Sequence, residues 1–253
     1  MTSQGVVIIP TYNEAENIEP LLQRVLNLVP AVDTLVIDDN SPDGTGELAD
    51  RLSQRYQQRL FVLHRPGKLG LGTAHRAGFS WALEHGYGQL LTMDADFSHP
   101  PEIIPFMLNK LQEANLVIGS RYVRGGRTEG WTLVRKINSR AANFLARRLM
   151  GLKTKDCTDA FRAYRAGDLK IVPMERLMAR GYPAHLEVLY YFERAGARVV
   201  EVPITFVNRQ KGQSKISAGE VRETFRVLVY YFLFRPRVPG ARNGVGPAHL
   251  PPN

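Results

Sequence analysis

Leu90-Leu-Thr-Met-Asp94-Ala95-Asp96-Phe-Ser-His-Pro-Pro101 runs from a short apolar segment into a pair of carboxylates and then into two prolines. Leu90–Met93 reads as a buried strand with the carboxylates at its carboxyl end, and Pro100-Pro101 opens a helix, since proline suits a first turn. The same arrangement recurs upstream. Gly5–Ile9 is a strand that leads through Pro10-Thr-Tyr-Asn-Glu14 into a helix with Ile18, Leu21, Leu22, Val25 and Leu26 on one face; Asn13 is expected to cap it. Thr34–Ile37 is a second strand, ending in Asp38-Asp39-Asn-Ser-Pro-Asp43-Gly44, and Leu60–Leu63 is a third. A helix is predicted over Thr73–Glu84 and a fifth strand over Leu116–Ile118. Such alternation implies an α/β fold, a mostly parallel twisted sheet with helices on both faces. Sheets of this kind bind ligands at the carboxyl ends of their strands. The three polar clusters, after residues 9, 37 and 93, should therefore converge on one cleft.

Downstream the pattern is less regular. Asn138–Leu149 has helical spacing, Val199–Ile204 reads as a strand with Pro203 near a sheet edge, and Ala218–Phe234 reads as a last helix. Its final turns, Val227–Phe234, are almost wholly apolar and precede Arg235 and Arg237, a pattern that suits an interfacial helix end or packing against the core. A single domain is expected over residues 1–235, with a nucleotide-binding part over 5–98 and an acceptor-binding part over 99–235. The Pro- and Gly-rich stretch 236–253 is expected to be a disordered tail.

The 253 residues carry a net charge of +9, which favours an anionic partner: nucleic acid, a lipid surface or a phosphorylated substrate. The basic excess is concentrated, since Arg121–Lys155 holds ten Lys or Arg and one acid, Glu129. No stretch approaches the roughly 20 apolar residues of a spanning helix, and Met1–Gly5 lacks the basic leader of a secretory signal. The lone Cys157 rules out an internal disulfide and fits a reducing compartment.

Two carboxylates flanking a small residue at a strand end can chelate a hard divalent cation through oxygen, and such a cation can neutralise a diphosphate leaving group. Gly67-Lys-Leu-Gly-Leu-Gly72 is neither a phosphate-cradling P-loop, as no Ser or Thr follows Lys68, nor a dinucleotide fingerprint, as its third glycine is missing. Arg121, directly after a strand, can hold phosphate bidentately. Arg209 and Lys215 lie in a polar, glycine-containing stretch whose cations can close over a diphosphate. Asp38 and Asp43 serve either the site or their own turn; Trp131 belongs either at a membrane surface or in the core.

Pro10-Thr-Tyr-Asn-Glu14, Asp38–Thr45, Met93–Asp96 and Gly119-Ser-Arg-Tyr122 occur in that order, and the set resembles the inverting family-2 glycosyltransferases of GT-A fold. Asp156-Cys-Thr-Asp-Ala-Phe-Arg162 and Arg209–Lys215 narrow the resemblance to the branch that mannosylates polyprenyl (dolichyl-type) phosphate, over about residues 5–235. The resemblance implies GDP-mannose as donor, Mg2+ or Mn2+ as cofactor, and a polyprenyl phosphate in a membrane as acceptor. It places the chain at the cytoplasmic face, with room for a membrane partner subunit. Pro10, Tyr12, Glu14, Ile37 and Asp39 would line the nucleotide pocket. Asp94, Ala95 and Asp96 would hold metal and diphosphate, and Arg121, Arg209 and Lys215 would bind phosphate. Ser98 stands where some relatives have a Gln ligand, and His99 is a candidate replacement. A transferase of UDP-glucose or another UDP-sugar would carry the same motifs. A nucleic-acid-binding protein would fit the charge, but no aromatic platform or helix-turn-helix is legible, so no nucleic-acid partner is expected.

Overall fold

The computed structural model describes residues 5–29, 31–209 and 218–238. Its chain order is β1 (Gly5–Thr11), α1 (Ala15–Leu28), β2 (Val32–Asp38), α2 (Thr45–Arg55), β3 (Leu60–His64), α3 (Leu71–Glu84), β4 (Gln89–Thr92), α4 (Ile104–Lys110) and β5 (Leu116–Ser120). There follow β6 (Arg127–Glu129), α5 (Leu133–Met150), β7 (Arg162–Arg165), α6 (Ala184–Arg194), β8 (Val199–Pro203), β9 (Thr205–Val207) and α7 (Ala218–Phe234). One seven-stranded sheet has the order β3-β2-β1-β4-β7-β5-β8, and β6 pairs with β9 beside it. All pairings are parallel except those of β7, which runs antiparallel between β4 and β5.

The alternation of β1 shows why helices cover both faces. Val6 and Ile8 pack with Leu35, Ile37 and Phe79 on one side, while Val7 and Ile9 pack with Ile18, Leu21, Leu22 and Val36 on the other. The predicted face of α1 is the buried one. β8 is an edge strand and ends on Pro203, where a missing amide costs nothing.

Several expectations are corrected. Asn13 does not cap α1. It takes a left-handed φ of 56°, which Asn tolerates, to turn the chain out of β1. The orphan amides are satisfied from across the cleft instead: Ala15 donates to Asp43 Oδ2 (3.1 Å) and Glu14 to Thr45 Oγ1 (2.9 Å). α5 begins five residues before Asn138, capped by Thr132, whose Oγ1 accepts from the Arg135 amide. Of the stretch expected to be a tail, Pro236 accepts from the Tyr190 hydroxyl through its carbonyl and Val238 packs on the core; 239–253 lie outside the described residues. Among the described residues no helix is long and apolar enough to cross a membrane.

Candidate active site

The carboxyl ends of β1, β2, β4 and β5 and the start of β7 surround one cleft. On the nucleotide side, Asp38 serves its own turn, accepting from the Ser41 amide, the Ser41 hydroxyl and the Thr11 hydroxyl. Asp43 likewise orders the start of α2 through the Thr45 amide and hydroxyl. Asp39 faces Arg65, which donates through Nε (2.6 Å) and Nη2 (2.8 Å). Glu14 is buried, with Oε2 accepting from Asn17 (2.9 Å). The Lys68 ammonium lies 4.6 Å from the centre of the Tyr12 ring, so the glycine-rich segment does border this side. Pro10 is half-buried in β1. The Ile37 side chain lies wholly in the core, where a Cβ added at Gly78 would come 2.8 Å from its tip, leaving only its main chain for the cleft. Ala95 is also core, leaving only its main chain for the cleft.

Asp94 and Asp96 stand together after β4. Asp94 keeps 23% of its side chain exposed. Burial, and then the charges of Asp96 and Asp159, push its pKa up to about 6 against the pull of His99 and Arg209. Crowded carboxylates of this kind call for a cation. Asp96 Oδ1 accepts from the Ser98 amide (3.0 Å), and its Oδ2 lies 3.1 Å from Arg209 Nη2. Among the described residues no group of three or more His, Cys, Asp or Glu could hold a metal ion. A pair of carboxylates completed by diphosphate and water is nonetheless a normal Mg2+ environment, so the residues present fit a divalent cation. Arg209 therefore touches this pair, and Lys215 lies outside the described residues.

His99 is not free to be a third ligand. Its Nδ1 accepts from the Asp94 amide (3.0 Å), and its Nε2 faces Asp159 Oδ1 (3.1 Å). The ring is stacked 4.9 Å from Phe161. With the Nδ1 lone pair taken by an amide proton, the ring carries its proton on Nε2, although the neighbouring carboxylates would favour a second one. Nothing in the local sequence marks this role; it depends on the loop before β7.

Arg121 is less open to the cleft than its place after a strand suggests. The guanidinium, 7% exposed, donates to Asp156 through Nε (2.7 Å) and Nη2 (2.6 Å) and to Thr158 (2.9 Å), and its Nε lies 3.2 Å from Asp159 Oδ2. Both carboxylates are fully buried. Burial alone would raise the pKa of Asp159; Arg121 and His99 more than offset it and hold the group below its ordinary range. Arg121 is therefore the centre of a buried ionic cluster, with Nε and Nη2 taken by Asp156, Asp159 and Thr158. Sequence reading missed its acidic partners because they lie 35 or more residues away.

The positive edge of the cleft is formed by Arg135 and Arg209, both half-buried. Arg135 stacks 4.1 Å over Trp131, which is core, and donates to Asn208 Oδ1 (2.6 Å). Burial, then Arg209 and Arg121, lower its pKa: like charges are held together there, as in a site built for an anion. Arg162 is fully buried and donates to the carbonyls of Cys157, Asp159 and His185. Cys157 is buried and its thiol is pushed up to about 12, so it is no nucleophile.

Residues 6–171 match the family model of glycosyl transferase family 2. The chain is 46% identical over 218 residues to an undecaprenyl-phosphate mannosyltransferase of Micrococcus luteus, covering 86% of this chain and 89% of that protein. It is 44% identical over 223 residues to a polyprenol monophosphomannose synthase of Mycolicibacterium smegmatis, covering 88% and 84%. Among solved structures it resembles glucosyl-3-phosphoglycerate synthase of Mycobacterium tuberculosis with Mn2+, UDP and glucosyl-3-phosphoglycerate (TM-score 0.65, 21% identity, 94% of this chain and 82% of that one). It also resembles a mannosyltransferase of Pyrobaculum calidifontis with GDP-Man and Mn2+ (TM-score 0.57, 16% identity, 93% and 66%). With a family model spanning most of its length and the GT-A sheet on which Asp94 and Asp96 stand, the chain belongs to glycosyltransferase family 2.

Proposed function

We propose that the protein transfers mannose from GDP-mannose to a polyprenyl monophosphate, with inversion, at the surface of a membrane. The observation that carries this reading is the meeting, in one cleft, of the Asp94/Asp96 pair with the guanidiniums of Arg135 and Arg209. Such a site must bring two phosphates together, and positive charge is what that demands. The names of the two close relatives supply the mannosyl group and the polyprenyl acceptor.

A divalent cation held by Asp94 and Asp96 supplies charge to the departing diphosphate when bound. The rest falls to side chains. Arg209 lies beside Asp96, where it reaches the donor phosphates. Arg135, braced by Trp131 and Asn208, is positioned for the acceptor phosphate. His99 fixes the Asp94 turn through its main chain. An acceptor oxygen attacks the anomeric carbon as the bond from that carbon to the diphosphate breaks, leaving a β-linked mannosyl phosphate. No proton has to be removed, because a phosphate monoester is largely dianionic at neutral pH. Asp159 suits this scheme: with a depressed pKa it is a poor base.

α5 and α7 pack side by side and present apolar groups outward. Leu133, Val134, Ile137 and Phe144 on α5, and Phe225, Leu233 and Phe234 on α7, are each more than half exposed. Arg140, Arg147, Arg148, Arg222, Arg226 and Arg235 are interspersed. A face with both characters suits anionic lipid, and α5 carries it to within one residue of the Arg135 side of the cleft. The deciding assay offers GDP-mannose and UDP-glucose with Mn2+ and a short polyprenyl phosphate. Transfer from GDP-mannose to a β-linked product is expected. Use of the UDP-sugar alone would refute the donor, and an α-linked product would refute the inversion.

A further inference from the structure

The strap that precedes α6 has one kind of partner throughout. Five successive main-chain amides, Met178 to Tyr182, each donate to a glutamate. Glu187 of α6 accepts from Met178 (3.0 Å) and Ala179 (2.7 Å). Glu223 of α7 accepts from Arg180 (2.8 Å) and Gly181 (3.1 Å), and Glu220 of α7 accepts from Tyr182 (3.1 Å). Amide bonds to a carboxylate are stronger than neutral ones. The approach is close: a Cβ at Gly181 would fall 2.4 Å from the Glu220 carboxylate. Tyr231 of α7 adds a hydroxyl to Glu187 (3.0 Å). Nearly the whole grip on the strap thus comes from, or is braced by, α7.

The opposite side of the strap meets the glycine segment that follows β3. The Arg180 carbonyl accepts from the Thr73 amide (3.1 Å), and a Cβ at Gly70, whose φ is +103°, would lie 2.5 Å from that carbonyl. Thr73 Oγ1 accepts from Arg65 Nη1 (2.9 Å), and Arg65 holds Asp39. A short run of bonds therefore leads from Glu223 to the carboxylate expected to meet the nucleotide. At the other end of the strap, the Tyr182 phenol lies in the field of Asp94, Arg209 and Asp96. The strap borders both halves of the donor site.

We propose that Glu220 and Glu223 are positioning residues of the donor site, and that seating the α5/α7 apolar face on lipid tightens nucleotide binding through them. The inference rests on the membrane reading given above. Val227, Leu228 and Tyr231 bury one side of α7, while Phe225, Leu233 and Phe234 are each more than half exposed. A lipid surface supplies that cover and orders the helix; a nucleotide arriving afterwards finds the strap already held and meets less ordering cost.

The test uses the full chain and a Glu220→Gln/Glu223→Gln pair, which keeps shape and removes charge. Affinities for GDP and for UDP, each with Mn2+, are measured in buffer and on vesicles containing anionic phospholipid. Sedimentation with the vesicles is followed in the same samples. The wild-type chain should sediment and bind its nucleotide roughly fivefold or more tightly on vesicles, the low end of ordinary coupling between sites. The pair should sediment equally, with one affinity on and off vesicles. An unchanged affinity of sedimented wild type, or a wild-type shift in the pair, overturns the proposal. Wild type that does not sediment overturns the membrane reading and this inference with it. If the pair fails to fold, Gly181→Ala, which displaces the Glu220 carboxylate, is read by the same criteria.

Discussion

Arg121→Met tests whether the guanidinium after β5 is a structural charge or a phosphate ligand. The side chain is 7% exposed and the Asp156 and Asp159 carboxylates are fully buried around it. Methionine has similar length but leaves both acids without their shared cation. Breaking a buried pair by removing one partner costs about 3–5 kcal/mol, and the second orphaned acid places this variant at the upper end. Against a total stability of about 5–15 kcal/mol, that is a large fraction. At roughly 2–4 °C per kcal/mol for a chain of this size, Tm should fall by about 10–20 °C. The assay is urea unfolding and thermal melting of Arg121→Met, Asp156→Asn and the double variant. The double variant should be more stable than the sum of the single losses implies, because the two groups interact directly. An Arg121→Met protein that melts with the wild type yet has lost transfer would refute the reasoning, and Arg121 would then be a phosphate ligand after all.

Asp96→Asn should lower Mn2+ affinity and turnover by roughly 100-fold or more while leaving the melting curve in place, since Asn still accepts from the Ser98 amide; Mn2+ binding followed by electron paramagnetic resonance checks it. Asp159→Asn should alter Tm but leave the pH profile of single-turnover transfer unshifted, and loss of the chemical step with both substrates bound would exclude a base-free mechanism. The fold should be acid-sensitive through His75 and His185. Burial lowers both pKa values, that of His75 to about 3, so below pH 6.5 the unfolded chain binds protons that the fold does not. Stability therefore falls as pH drops from 6.5 towards about 3, by about 1.4 kcal/mol per pH unit per histidine. His75→Leu should halve that slope at little cost near pH 7, as neither ring nitrogen of His75 has a hydrogen-bond partner among the described residues; urea midpoints at pH 5 and 7 decide.

The parallel half of the sheet was legible because β1, β2 and β4 are buried on both faces, and such strands read as plain apolar runs. β7 was not, because Arg162-Ala-Tyr-Arg165 is short and polar at both ends, its buried arginine satisfied by carbonyls that only the fold brings near. α6 escaped notice for the opposite reason: nine of its residues, from Ala184 to Phe192, are buried in succession, so it shows no amphipathic stripe. In the site, the Asp94/Asp96 pair was readable from adjacency alone. The ion pairs of Arg121 were not readable, because a guanidinium after a strand looks the same in sequence whether or not it meets Asp156, 35 residues on. Asp38 and Asp43 show the converse, as their turn roles follow from neighbours within a few positions.

The reversed strand has an architectural consequence. In a parallel sheet only residues that follow a strand reach the cleft. Because β7 runs the other way, the residues before it arrive there, and its place between β4 and β5 sets those two strands about 10 Å apart. The chain leaves the sheet at Ser120 and re-enters beside the same strand at Arg162. Everything between, β6, α5 and the acidic loop included, is one excursion that leaves and rejoins the sheet at neighbouring points and is tied to the rest through β9 and α7. Such an excursion can change in length between its ties without re-threading the seven-stranded sheet. The excursion is thereby wired to the carboxylate pair it passes: Asp159 within it faces His99, and His99 holds the Asp94 amide, so a change in the loop before β7 is felt at the end of β4.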